Sequence, residues 1–387
     1  MAQTADDILI PAALLKRAEA ASGLSDWGDI PFGEALDALC RSGREQRLEG
    51  RPLAALEANI LGLLGKRLRL ADDRRKYPEI ARQQIVNPVF VMGLPRSGTT
   101  ILHNLLSQDP ENRSPQRWEL DDPSPPPRTE TYLTDPRIAT AAEAVERIEP
   151  EFRAMHHMGA QLPEECIQMQ MLSFQSMSFW SSIDLPLYTD WLLNKADARL
   201  SYQTHKQYLQ HLQAFAPRTR WVLKAPTHLF WIEELLEVYP DASIVFTHRD
   251  PAEVLPSNAS LIAFLRSRVA EPDPRSVGAE QVKVWSLAVR RAMAARDRIG
   301  DASRFIDTHY GDFITDPLAV VRRVYSHFAI PMTAKGMAAM AAFMDDNEQG
   351  KHGKHVYTAE QFGLDPAVVH AAFADYIKRY DVRVKAA

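Results

Sequence analysis

The chain has 387 residues, 45% of them hydrophobic and 25% charged, with a formal net charge of −5. That balance is ordinary for a globular protein and gives no reason to expect nucleic acid as the main partner. The two cysteines, Cys40 and Cys166, make neither a disulfide framework nor a metal cluster, and no apolar run approaches a membrane span. Acidic residues precede a broken apolar stretch at the N-terminus, unlike a secretory signal, so a cytoplasmic protein is expected.

Residues 1–84 read as a helical layer. Leu14, Leu15 and Ala18, then Ala35, Leu36 and Leu39, then Leu53, Leu56, Ile60, Leu63, Leu64 and Leu68 recur at helical spacing. The next unit, 87–120, opens with Pro88–Met92, a short apolar run that predicts a buried parallel strand. Thr100–Leu106 has the spacing of a helix. Between them lies Gly93-Leu94-Pro95-Arg96-Ser97-Gly98-Thr99-Thr100. Strand, glycine-flanked loop and helix make a phosphate cradle, because free backbone N–H groups and the positive helix end face one anion. Gly93 and Gly98 have P-loop spacing, but a P-loop continues with lysine and Ser/Thr, whereas Thr99 and Thr100 stand here. The loop is therefore expected to hold a phosphate without nucleoside triphosphate and magnesium, with Arg96 supplying the positive charge.

Pro123, Pro125, Pro126 and Pro127 force an extended path. Residues 136–216 predict a helical insertion dense in Met155, Met158, Met169, Met171, Phe174, Met177, Phe179, Trp180, Tyr188 and Trp191. These side chains suit an ordinary core or an adaptable acceptor pocket equally. The α/β pattern resumes over 221–362. Strands are expected at Trp221–Lys224, Ser243–Thr247 and Arg304–Thr308, with helices at Leu229–Tyr239, Glu280–Ile299 and Leu318–Phe328. Asp250 and Pro251 cap and open another helix. A polar loop, Lys351–Phe362, precedes a last helix, Ala367–Tyr380. The expected fold is a single α/β domain over 1–387, P-loop-like and three-layered around a central parallel sheet.

Pro95-Arg96-Ser97-Gly98-Thr99-Thr100 resembles the 5′-phosphosulfate loop of sulfotransferases that use 3′-phosphoadenosine 5′-phosphosulfate (PAPS). It is most similar to bacterial and tyrosylprotein sulfotransferases, which carry arginine where cytosolic ones carry lysine. The resemblance covers roughly 87–360. It implies that Arg96, Ser97, Gly98, Thr99 and Thr100 hold the 5′ end of the donor. Arg249, with Ser257 eight residues on, resembles the 3′-phosphate motif. Pro256 departs from that motif and predicts a bent segment before Ser257, because proline cannot donate a helical hydrogen bond. Lys224 ends a strand, where parallel sheets bind ligands. It is similar to the lysine that stabilises the bridging oxygen of the leaving group. Tyr310 resembles the residue that packs on adenine, and Lys351, Gly353 and Lys354 resemble the basic loop that closes over the 3′-phosphate. Bland readings stand beside these: a surface lysine, a core tyrosine, a solvated charge run.

The general base stays open. Glu119 falls near the glutamate of tyrosylprotein sulfotransferases, two residues further on. His228, four residues after Lys224, resembles the histidine of the cytosolic enzymes. Glu119 is preferred and His228 is second, with His156, His157, Glu164 and Glu165 remaining. The implied function is sulfuryl transfer from PAPS to a hydroxyl acceptor, small and apolar or lipid-like, with no metal. The alternatives are a P-loop-type nucleotide kinase and a non-catalytic nucleotide-binding protein on the same fold. Oligomeric state is not legible.

Overall fold

The computed structural model describes residues 4–155, 158–346 and 357–385. Five parallel strands form the centre: β1 (Val89–Gly93), β2 (Asn112–Arg113), β3 (Arg220–Lys224), β4 (Ser243–His248) and β5 (Phe305–His309). Their order is β2-β3-β1-β4-β5. β1 is apolar throughout because both of its faces are covered. Phe90 and Met92 join a large core shared with the N-terminal helices and the insertion. Val89 and Val91 face the other way, into a smaller core with Leu102, Leu105, Val321 and Val324. Alternation along one strand thus feeds two helical layers, giving the three-layer α/β fold.

The N-terminal layer is built on the helix Gly50–Lys76. Its stripe from Leu53 to Leu68 is buried, as the spacing predicts. The helix outruns the stripe by two turns. There Asp72 pairs with Arg75 and Lys76 at i,i+3 and i,i+4, and three basic residues sit on the negative helix end. The insertion is helical. Met169, Phe174, Met177, Phe179, Trp180 and Tyr188 are buried in the large core, so packing alone accounts for them.

Three local expectations are corrected. The helix Pro251–Ser267 runs unbroken through Pro256. Asp250 caps it by accepting from the Ala252 N–H at 2.9 Å, and Val254, Leu255, Ala259 and Ile262 bury one face, which offsets the single hydrogen bond that proline removes. The expected last helix is two short ones, Pro366–Ala372 and Ala374–Arg379, interrupted at Phe373. The helix expected from Leu229 begins only at Ile232, after a 3-10 turn, Pro226–Phe230. Among the described residues no helix is long and apolar enough to cross a membrane.

Candidate active site

The register of the sheet sets the site. β1 lies between β3 and β4, with Val91 level with Lys224 and Gly93 level with Thr247. The carboxyl ends of three adjacent strands therefore carry the loop, the lysine and Arg249 together, where open parallel sheets hold ligands.

The loop is tied down from beneath. The Ser97 hydroxyl donates to the Leu94 carbonyl at 2.5 Å and lies 2.7 Å from the Thr247 hydroxyl. Ser97 is 1% exposed, so it fixes the loop's shape. Gly93 and Gly98 are both required by close approach. A β-carbon on Gly93 would come within 2.5 Å of the Thr247 carbonyl oxygen, and one on Gly98 within 2.8 Å of the Tyr310 ring. Gly98 also has φ +92°, a conformation that favours glycine. Arg96 itself is left-handed, at φ 66°, a strained backbone of the kind that clusters at ligand sites.

Lys224 is 1% exposed at the end of β3. Its ammonium donates to Glu165 Oε1 at 2.5 Å and to Thr100 Oγ1 at 3.2 Å. Thr100 is on the first turn of the helix Thr99–Leu106. One amine thus joins the phosphate-cradle helix to a carboxylate from the insertion.

On the other side, Arg249 Nη1 donates to the Arg96 carbonyl at 3.0 Å, and its guanidinium lies 4.0 Å over the Tyr310 ring. Arg96 crosses back: Nε donates to Ser257 Oγ at 3.1 Å and Nη1 to the Met155 carbonyl at 2.9 Å. Burial lowers the Arg96 pKa from its ordinary value, and the nearby Arg249 charge adds to that, opposed by Tyr357, Tyr310 and Glu165. Two crowded cations are relieved by a bound anion. Arg96, Ser257, Arg249 and Tyr310 thus form one linked group, and Lys224, Thr100 and Glu165 a second, at the ends of adjacent strands. Tyr310 serves Arg249 with its face and Gly98 with its edge.

Glu119 and His228 sit elsewhere. Glu119 is fully buried; Oε1 pairs with Arg113 at 2.5 Å and Oε2 accepts from the Gln116 N–H at 2.8 Å, closing a capping box. His228 is fully buried, stacked on Tyr202 with Nδ1 2.9 Å from the Tyr202 hydroxyl, and meets Phe90 edge to face. Burial drives its pKa well below the ordinary value. Lys351, Gly353, Lys354, His156 and His157 lie outside the described residues. Glu165, one of the minor candidates, is the acid that touches Lys224. No local signal marks it, since it comes from the insertion, 59 positions away in sequence. Thr247 was missed for the same reason: its role depends on register. A separate cavity of about 390 Å³ lies at the far end of the loop's helix, lined by Ser107, Gln108, Arg113, Tyr132, Leu162 and Phe343. Among the described residues no group of three or more His, Cys, Asp or Glu could hold a metal ion.

A parallel sheet whose central strand ends in an anion cradle, with a buried lysine and a stacked arginine on the flanking strands in place of a P-loop lysine, defines a group-transfer enzyme for anionic donors. The profile of the sulfotransferase family matches residues 88–334, and the chain belongs to that family. Among solved structures it is similar to sulfotransferase STF9 from Mycobacterium avium, with 30% identity, TM-score 0.87 and coverage of 99% of both chains. It is also similar to sulfotransferase STF1 from Mycobacterium tuberculosis, with 30% identity and TM-score 0.80 over 95% of this chain and 99% of that one. The omega-hydroxy-beta-dihydromenaquinone-9 sulfotransferase Stf3 of Mycobacterium bovis is 29% identical over 307 residues, 76% of this chain and 74% of that protein. The sulfotransferase fold and family expected from the loop are therefore correct, and the kinase alternative is not favoured.

Proposed function

We propose that the chain transfers a sulfuryl group from PAPS to a hydroxyl on a lipid-like acceptor. The observation that carries this reading is Lys224, buried between the cradle helix and a carboxylate. Arg96, Arg249 and the hydroxyls of Thr99, Thr100 and Ser257 suit a donor with anions at both ends. PAPS held there would supply the sulfuryl group, which would pass to the acceptor oxygen as its bond to the bridging oxygen breaks and adenosine 3′,5′-bisphosphate leaves. Lys224 neutralises charge growing on the bridging oxygen, as preorganised cations do in phosphoryl transfer. Arg249 and Ser257 hold the 3′-phosphate, and Tyr310 supports Arg249. The lipid-like acceptor is supported by the menaquinone-derived substrate in the relative's name. Adenosine 3′,5′-bisphosphate should raise the melting temperature while ATP with magnesium leaves it unchanged. The reverse result would remove the PAPS reading.

Glu165 is the base this geometry favours, since its carboxylate lies 2.5 Å from the Lys224 amine. Glu165→Gln should lower kcat about a hundredfold or more, the usual contribution of a positioned base, with bisphosphate binding kept. Glu119→Gln should act on stability instead. It breaks a fully buried pair with Arg113, a change that costs about 3–5 kcal/mol. Its melting temperature should fall while kcat at low temperature stays near wild type. If Glu119→Gln loses turnover while folded and Glu165→Gln does not, Glu119 is the base after all.

A further inference from the structure

The arginine at the end of β4 is held more closely than phosphate binding alone requires. Arg249 Nε donates to Glu253 Oε2 at 3.1 Å, one helical turn on, and Nη1 donates to the Arg96 carbonyl at 3.0 Å. With its plane on Tyr310, the guanidinium keeps only Nη2 without a partner among the described residues. A carboxylate beside an anion site is electrostatically adverse, so Glu253 needs a reason to be there. Lys385, near the end of the described chain, supplies part of one, because its ammonium pairs with Glu253. The trio Arg249, Glu253 and Lys385 keeps a net positive charge. The same tail is pinned to the strand end: the Lys385 N–H donates to Asp250 Oδ2 at 3.0 Å, and His370 Nε2 lies 2.8 Å from Asp250 Oδ1. Asp250 is 2% exposed and caps the helix that carries Glu253.

We propose that Glu253 is a positioning residue for Arg249, held in turn by Lys385, and that this brace sets the preference for a 3′-phosphorylated donor. The inference rests on the reading of Arg249 as the 3′-phosphate ligand. Glu253 touches no reacting atom. It fixes the rotamer that turns the free edge of the guanidinium outward, so that little side-chain freedom is lost when phosphate binds.

Calorimetric titration of the full chain with adenosine 3′,5′-bisphosphate and with adenosine 5′-phosphate tests this. Wild type should prefer the bisphosphate. Glu253→Gln should weaken bisphosphate binding about tenfold, the worth of one charge-assisted hydrogen bond, and leave the monophosphate within about twofold. kcat at saturating donor should stay within about twofold while the donor KM rises. A purely electrostatic role predicts the opposite sign, because removing a negative charge tightens anion binding; tighter or unchanged bisphosphate binding therefore overturns the proposal. Lys385→Met, at an 82% exposed side chain, should give the same effect in weaker form and guards against misfolding of the first variant. A wild-type chain that binds both nucleotides equally would overturn the reading of Arg249, and the brace with it.

Discussion

Lys224→Ala should lower kcat by about two to three orders of magnitude, the loss seen when one preorganised donor to developing charge is removed. On the proposed reading adenosine 3′,5′-bisphosphate should still bind, because that reading assigns its 3′ end to Arg249 and Ser257 and its 5′ end also to the cradle. The buried position of Lys224 makes a control necessary. Removing its ammonium leaves Glu165 without its cation, and the Glu165 side chain is 20% exposed, so water can take part of the load. Lys224→Met fills the same space and should show the same fall in kcat. Single-turnover measurements with saturating donor would separate chemistry from release. A folded, bisphosphate-binding Lys224→Met enzyme with wild-type turnover would take the lysine out of the mechanism.

The second large effect is on acid stability. Burial lowers the pKa of His103 and His205 to about 3 and of His211 to about 4, and drives His228 well below its ordinary value. All four are neutral in the native state across the neutral range. In the unfolded chain each titrates near pH 6.5. Between roughly pH 6.5 and 4 the unfolded state therefore binds protons that the native state refuses, so stability is full above that window and falls as pH drops. Each histidine contributes about 1.4 kcal/mol per pH unit within the window. Four together give roughly 5 kcal/mol per unit, against a typical total of about 5–15 kcal/mol. Calorimetric melting from pH 7.5 to 4.5 should show a steep fall in Tm below pH 6. His103→Asn should cut the proton uptake on unfolding by about one. A flat Tm over that range would mean these imidazoles are charged or solvated in the native state.

How much of this was legible depended on whether the signal was local. The cradle was, since strand, glycines and helix are consecutive and only that backbone shape suits Gly93 and Gly98. Lys224 and Arg249 were legible as strand-end residues because the apolar runs before them are unmistakable. Glu165 was not, since nothing in 136–216 says which of its acids reaches the sheet. Glu119 attracted attention by proximity in sequence to the loop, yet its two oxygens serve Arg113 and a helix cap. His228 drew the same attention from its spacing to Lys224, and the 3-10 turn Pro226–Phe230 carries it into the core instead. Pro256 misled in the other direction. A residue's intrinsic cost said bend, while a strong cap and a buried face kept the helix whole.

The pairing of β1 with β3 and β4 also bears on how this enzyme can diverge. Val91 matches Lys224 in the ladder, and its neighbour in β3, Leu223, points to the opposite face. A single deletion within 220–224 would therefore turn the amine into the wrong layer and could not be rescued by small adjustments. Residues 125–155 hold no strand of the sheet and so face no such register demand, although the Met155 carbonyl accepts from Arg96. A change of length there would leave the pairing of β1 with β3 and β4 in place. Tolerance of insertions and deletions should therefore differ sharply between the ladder and the segment outside it.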